Sequence, residues 1–169
     1  MKIYYKLLKL ASASAFYRIL LNQILWFRIP FNKPHGLKIT RVLDSGFEVR
    51  LPYRRNNLNH LKGIHACALA TASEYVAGLT LIRFLDPKKY RLILESLQTR
   101  YVYQAKSTVK CRLELNDHFV REEILEPLQN HDAVFVDLKT QITDENDQLI
   151  CETTTRWQIK SWEKVKTKV

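Results

Sequence analysis

Hydrophobic and polar residues alternate along most of the chain from Leu37 onward, and this period of two predicts β-strands. The stretch GFEVRLPY places apolar residues at alternate positions from Phe47 to Tyr53, with the polar Glu48 and Arg50 between the first three of them. The preceding stretch, LKITRVL, has strand character as well. A polar turn at residues 44–46 joins the two stretches, so they are expected to form a hairpin.

Four later segments alternate over most of their length: YRLILESLQTRYVYQAK, STVKCRLELN, DAVFVDLKTQIT and QLICETTTRWQIKSW. A polar turn at residues 144–147 separates the last two, which predicts a second antiparallel hairpin. The segment DHFVREEILEPL, which lies between strands, favours a short helix.

A different pattern occupies residues 59–78, NHLKGIHACALATASEYVAG, where small and apolar residues predict one helix in the protein core. Its alanines would allow strands to approach closely. The chain is therefore predicted to be α+β, with an antiparallel sheet of five or six strands that wraps around this helix. Glu74 is the acidic residue of this helix, and a buried carboxylate calls for a chemical explanation.

The first 34 residues form a basic arm that contains no acidic residue. Ile3, Leu7, Leu10 and Ala11 recur at helical spacing, which predicts an amphipathic helix. Two interpretations are open for this arm: its apolar stripe packs on the rest of the domain, or residues 1–30 make peripheral contact with an anionic membrane. The predicted organisation is then the arm at 1–34, one domain at 35–162 and a basic tail at 163–169.

Export and membrane insertion are both disfavoured by charged and polar residues in the arm. Lys9 interrupts an apolar run that is already too short for a signal peptide. Arg18, Asn22 and Gln23 break the stretch of about 20 apolar residues that a membrane span needs. We therefore expect a cytoplasmic protein, with any membrane contact peripheral and at the inner membrane surface.

Composition narrows the class of partner. The chain has 169 residues, 46% of them hydrophobic, which suits one globular domain. Its formal charge of +10 favours an anionic ligand. No zinc-finger spacing or RNA-recognition motif is present, so nucleic acid is not expected. Cys67, Cys111 and Cys151 are odd in number and widely spaced, which predicts buried free thiols in a reducing compartment, with no metal site and no cofactor.

The motif NHLKGIHAC followed by ALATASE resembles that of hot-dog-fold acyl-CoA thioesterases of the phenylacetate-pathway type. In that superfamily an Asn stands six residues before the His that opens the central helix, and an acidic residue follows this His by nine. Asn59, His65 and Glu74 match this spacing. The chain has Ala66 and Cys67 where the family usually has two glycines, and Glu74 where the family often has Asp.

The resemblance implies a hot-dog fold over about residues 36–160 and a role for each matching residue. Asn59 and the backbone N–H of Ala66 would polarise the thioester, at the helix start that His65 opens. Glu74 would be the nucleophile or the general base. These roles agree with the partial positive charge of a helix N-terminus and with the raised proton affinity of a carboxylate in apolar surroundings.

Helix geometry adds a requirement for a second subunit. The nine-residue step from His65 to Glu74 corresponds to a rotation of roughly 900° and a rise of about 13 Å, so the two side chains point in opposite directions. One helix cannot direct both at the same carbonyl group. A two-fold dimer with two composite sites is expected, alone or as a dimer of dimers.

Structural interpretations remain open for each site residue. His65 could only open the helix, Asn59 could only shape a turn, and Glu74 could form an ion pair with Arg83 or another cation. Ser73 and Cys67 have no evident base partner, so neither is assigned as a nucleophile.

The predicted function is hydrolysis of acyl thioesters, with acyl-CoA as the expected substrate. Arg54, Arg55 and Lys62 are candidate contacts for the CoA phosphates, and Lys88 and Lys89 are weaker candidates. Two alternatives stay open: a hot-dog hydratase or dehydratase, and a non-catalytic protein that binds an acyl chain or a lipid.

Overall fold

The computed structural model describes residues 2–165, with side chains from Tyr5 onward. Two parts of the sequence predictions lie outside the described residues. They are the side chains of Lys2 and Ile3 in the predicted amphipathic helix and residues 166–169 of the predicted basic tail. In chain order the helices and strands are α1 (Lys2–Ala13), α2 (Ala15–Arg28), β1 (Lys38–Val42), β2 (Gly46–Leu51), α3 (Ala66–Phe84), β3 (Tyr90–Tyr101), β4 (Val109–Glu114), α4 (Asp117–Phe119), a π-helical turn (Val120–Leu125), α5 (Glu126–Asn130), β5 (Val134–Asp144) and β6 (Leu149–Ser161).

Within the described residues, the strands form one antiparallel sheet in the order β1-β2-β4-β5-β6-β3. Strands β1 and β2 form the first predicted hairpin, and β5 and β6 form the second. In the turn of the second hairpin, the Asp144 carboxylate accepts hydrogen bonds from the backbone N–H groups of Asn146 and Gln148, at 2.8 and 2.9 Å. The predicted short helix is present at residues 117–130, and the α+β prediction is confirmed.

Helix α3 occupies the middle of the fold and packs against the inner face of the sheet. Ala68, Ala72 and Ala77 are buried, and small side chains of this kind allow the helix to lie close to the strands that it contacts. The prediction that a helix rich in small residues is wrapped by the sheet is therefore confirmed.

The predicted alternation of β2 continues only as far as Leu51. Tyr53, which was expected to be the next inward residue, is 37% exposed. Strand β2 ends at Leu51, and Pro52, which has no backbone N–H, follows it. The Tyr53 hydroxyl instead donates a hydrogen bond of 2.6 Å to the carbonyl oxygen of Lys62.

The three cysteines are free, as predicted, but only two of them are buried. Burial raises the pKa of the Cys111 thiol to about 12 and that of Cys151 to about 11. Cys67 is exposed, which contradicts the expectation of a buried thiol. It is exposed because it is the second residue of α3, at the open end of the helix.

The N-terminal arm folds as two helices, α1 and α2, which meet at Ser14. Leu8, Ala11 and Leu21 are buried in the main hydrophobic core, so part of the arm packs on the domain. No helix within residues 2–165 has the length and apolar content needed to cross a bilayer.

Asn22 ties α2 to the edge of the sheet. Its side-chain oxygen accepts a hydrogen bond of 2.7 Å from the Ile39 N–H, and its Nδ2 donates to the Ile39 carbonyl oxygen at 3.0 Å and to that of Arg18 at 2.9 Å. The Trp26 indole N–H donates to the carbonyl oxygen of Leu37 at 2.7 Å. Because Ile39 belongs to the edge strand β1, the amide of Asn22 takes the place of a neighbouring strand at this position.

Replacing Asn22 with Ala should destabilise the fold by about 3 kcal/mol, because the buried N–H and C=O of Ile39 lose their partner. Urea denaturation measures this change. Gln23→Ala, at the exposed neighbouring position, is the control and should change stability by less than about 0.5 kcal/mol. Equal stability of the two variants would show that the Asn22 bonds do not hold the arm.

Candidate active site

His65 forms the N-cap of α3. Its Nδ1 accepts a hydrogen bond of 3.1 Å from the backbone N–H of Cys67, and its own backbone N–H donates to the carbonyl oxygen of Asn57 at 2.7 Å. The side chain thus occupies a donor of the first helical turn. This geometry is the helix-opening role that was one interpretation of His65.

Asn57 organises the loop before α3, and the sequence analysis did not identify it. Its side chain is 1% exposed. Its Nδ2 donates to the carbonyl oxygens of His35 and Pro52 at 2.9 and 2.8 Å, and its Oδ1 lies 3.1 Å from Nδ1 of His35. Together with the bond from the His65 N–H, these contacts fix the start of α3. The only local signal was the pair Asn56–Asn57 within the polar loop.

Asn59 shapes the turn that precedes the helix, as one interpretation expected. Its Oδ1 accepts from the backbone N–H groups of Leu61 and Gly63 at 3.0 and 3.1 Å. No described residue accepts a hydrogen bond from its Nδ2. The Asn59 amide is therefore held in one orientation, and its Nδ2 is available to donate a hydrogen bond to a ligand.

Asn59 and Ala66 meet at an open cleft of about 310 Å³, called here the helix-start cleft. No residue in the described part of the chain accepts a hydrogen bond from the Ala66 N–H, so this donor of the first turn is available. The cleft is lined by Asn59, Leu61, Ile64, Ala66, Leu69, Tyr101, Val102, Tyr103, Gln104 and Ala105.

Two aromatic residues of the helix-start cleft were absent from the sequence predictions. Tyr101 donates its hydroxyl to the carbonyl oxygen of Ala66 at 3.0 Å, and Tyr103 is 62% exposed beside it. The signal in the sequence was the aromatic pair in TRYVYQ, but both tyrosines also fit the alternating pattern of the predicted strand.

Glu74 lies in a different cleft of about 160 Å³, called here the Glu74 cleft. Burial raises the pKa of its carboxyl group above the ordinary value of 4.5. Within residues 2–165, Glu74 forms no ion pair and no side-chain hydrogen bond. The cleft is lined by Ile29, Asn32, Glu74, Tyr75, Gly78, Leu79, Ile82, Leu92 and Trp157.

The alternative in which Arg83 neutralises Glu74 is wrong for this structure. The Arg83 guanidinium donates to the carbonyl oxygen of Asp44 at 2.7 Å and lies over the Phe47 ring, 5.8 Å from its centroid. Arg83 is thus engaged at the C-terminal end of α3, and the Glu74 carboxylate keeps its raised proton affinity.

The helix-start cleft and the Glu74 cleft share no lining residue. One chain therefore brings Asn59, His65 and Ala66 together and places Glu74 apart from them, as helix geometry requires.

The main candidate phosphate-binding residues lie on the surface in the loop before α3, whereas the weaker candidates Lys88 and Lys89 are exposed in the turn between α3 and β3. Arg54 donates to the carbonyl oxygens of Lys33 and Pro34, so its guanidinium is engaged with the chain. Arg55 and Lys62 are exposed, and Lys62 has a φ of 58° in the turn after Asn59. Arg55 and Lys62 are the freer cations of the predicted group.

Comparison with known proteins places the chain in a family. The family model described as a domain of unknown function (DUF4442) matches residues 18–159, and the chain belongs to this family. A comparison with functionally curated proteins finds no match.

Solved structures similar to this chain have the hot-dog fold. A protein of unknown function from Pseudomonas aeruginosa, described as a probable thioesterase, is 22% identical with a TM-score of 0.77, over 84% of this chain and 94% of that one. A thioesterase from Haemophilus influenzae is 13% identical with a TM-score of 0.63, over 83% of this chain and 88% of that one. The predicted hot-dog fold and the resemblance to thioesterases of this fold are confirmed.

The raised pKa of Glu74 predicts how stability depends on pH. The folded chain holds the proton of the Glu74 carboxyl group more tightly than the unfolded chain does. The free energy of unfolding therefore falls as the pH rises above 4.5, the ordinary pKa of this group, towards its pKa in the folded chain. Glu74→Gln should therefore raise the melting temperature relative to wild type at about pH 7.5 and have little effect at about pH 4.

Thermal unfolding followed by circular dichroism at both pH values measures this difference. Glu123→Gln removes an exposed carboxylate that has no ion pair among the described residues, and it should show no such pH dependence. A Glu74→Gln variant that is less stable at neutral pH would mean that the charged carboxylate has a stabilising partner.

Proposed function

We propose that the protein hydrolyses acyl thioesters, with acyl-CoA as the substrate, in sites that two subunits build together. The observation that carries this proposal is that α3 holds both a hydrogen-bond donor and a candidate base. An available N–H at its start suits a developing oxyanion, and a carboxylate of raised pKa that has no counter-ion among the described residues suits a base. Thioesterases among the structural neighbours support the same reaction.

In the proposed reaction, Glu74 removes a proton from water and the water oxygen bonds to the thioester carbon. The carbonyl oxygen gains negative charge, which the N–H of Ala66 and the Nδ2 of Asn59 stabilise. The carbon–sulfur bond then breaks, the thiolate takes the proton from Glu74, and a carboxylic acid and a thiol leave. His65 positions the first helical turn and does not touch the reacting atoms.

The free edge of β3 offers a way to unite the two clefts. β3 lies at the edge of the sheet opposite β1, and its 12 residues leave one row of backbone groups without a strand partner in the described chain. Leu92 lines the Glu74 cleft near one end of β3, and Tyr101 lines the helix-start cleft at the other end. Antiparallel pairing of two β3 strands about a two-fold axis places Leu92 of one copy near Tyr101 of the other.

This pairing also explains why a long edge strand with the exposed Ile93 and Tyr101 is tolerated, since unpaired edges of this kind promote aggregation. Arg55 and Lys62 lie in the loop before the helix-start cleft and would contact the phosphates of CoA there, with Arg54 shaping the loop.

Glu74→Gln should lower turnover of acyl-CoA substrates by about 100-fold or more, because loss of a general base typically costs this much. Asn59→Ala should lower it by at least about tenfold through loss of carbonyl polarisation. Thiol released from a panel of short-chain to long-chain acyl-CoAs measures both effects. Asn56→Ala, an exposed position in the same loop, is the control and should retain activity.

Wild-type protein that binds acyl-CoA without releasing thiol would support the non-catalytic binding protein. Hydration of an enoyl-CoA without thiol release would support the hydratase.

Co-expression of Glu74→Gln and Asn59→Ala chains tests the composite site. If each site takes Glu74 from one subunit and Asn59 from the other, a mixed dimer has one intact and one doubly altered site. Random pairing should then restore about a quarter of wild-type activity. Sites contained within one subunit would give no restoration beyond the sum of the two variants. Sedimentation velocity checks that the mixed species is a dimer.

A further inference from the structure

Helix α2 has apolar side chains on two faces, and only one of these faces packs on the domain. The inward face includes the buried Leu21 and Asn22. The outward face, called here the arm face, continues into the turn after the helix. Its members and their exposed fractions are Phe16 70%, Ile19 62%, Leu20 42%, Ile24 41%, Phe27 85% and Phe31 66%.

The arm face is held in a fixed orientation. The Asn22 amide bonds both backbone groups of Ile39, and the Trp26 indole N–H bonds the Leu37 carbonyl oxygen. A helix held by these contacts cannot rotate to bury the phenylalanines that point away from the domain. The exposure of these side chains is therefore a property of the folded arm.

Charge in the chain segment that carries the arm face is of one sign. Residues 1–43 contain eight lysines and arginines and no acidic residue, so they account for most of the formal charge of +10. Lys9, Arg28, Lys33 and Lys38 are exposed. Large exposed apolar side chains on a helix, in a basic segment without acidic residues, are the pattern of helices that lie in a membrane interface.

We propose that the arm face docks the protein on a bilayer containing anionic phospholipids. With 14 residues, α2 is about 21 Å long and lies along the membrane plane, because a helix of this length is too short to cross the hydrocarbon core of about 30 Å. The phenylalanine, isoleucine and leucine side chains enter the headgroup–acyl boundary, and the cations face lipid phosphates.

A second copy of the chain fits the arm face less well. A two-fold contact through this face would bring two segments with eight positive charges each against one another. The proposed dimer instead pairs the edges of β3, whereas helix α2 contacts β1 at the other end of the strand order. Membrane docking does not depend on thioester hydrolysis, so each can fail without the other.

Sedimentation of the full chain with vesicles tests the docking surface. Wild-type protein should pellet with phosphatidylcholine vesicles that contain about 30% phosphatidylglycerol and bind at least about tenfold more weakly to phosphatidylcholine alone, with binding to anionic vesicles weakened by salt. Phe16→Ser/Phe27→Ser should lower binding to anionic vesicles by about tenfold or more. Phe135→Ser, an exposed aromatic position on β5, is the matched control and should bind like wild type.

The charged residues are tested in the same way. Arg28→Gln/Lys33→Gln should weaken binding several-fold, whereas Lys88→Gln/Lys89→Gln, two exposed cations of the α3–β3 turn, should not. All variants should melt at the wild-type temperature. Wild-type protein that does not pellet with anionic vesicles, or a Phe16→Ser/Phe27→Ser variant that binds as wild type does, would overturn the proposal. A smaller oligomer in that variant by sedimentation velocity would assign the arm face to a second copy instead.

Discussion

The hydrogen bonds between the Asn22 amide and Ile39 make the two edges of the sheet unequal. At β1, a side chain from α2 satisfies backbone groups that would otherwise recruit another strand. At β3, no described element does the same. In the proposed dimer, association uses the β3 edge, and the outer side of α2 faces solvent. The proposed dimer and the proposed membrane face therefore both follow from how one edge is closed.

Helix α3 imposes the second constraint. Its start is fixed by Asn57 and His65, which leave the Ala66 N–H available, while Glu74 follows on another side of the helix in a small apolar cleft. A rigid helix keeps these groups apart in one chain. In the proposed dimer, the same rigidity would hold the two groups in place when the neighbouring chain supplies the complementary end, because neither would have to move.

Periodicity predicted much of this fold. The strands, the two hairpins and the central helix follow from patterns of local spacing, which depend on burial of one face. Asn59, His65 and Glu74 could be proposed as site residues because a motif marks them. Asn57 and Tyr101 could not, because their importance comes from contacts with His35 and Ala66, which are distant in sequence. The turn after Leu51, which exposes Tyr53, likewise has no periodic signal.

The unequal surroundings of the three cysteines make the protein selective towards thiol reagents. Cys111 and Cys151 are buried with strongly raised pKa values, whereas Cys67 is exposed in the first turn of α3. An alkylating dye would therefore mark the mouth of the helix-start cleft in the native protein without any engineered cysteine. Such a label would report occupancy of that mouth directly, through quenching by Tyr101 and Tyr103 or through its protection by a bound ligand.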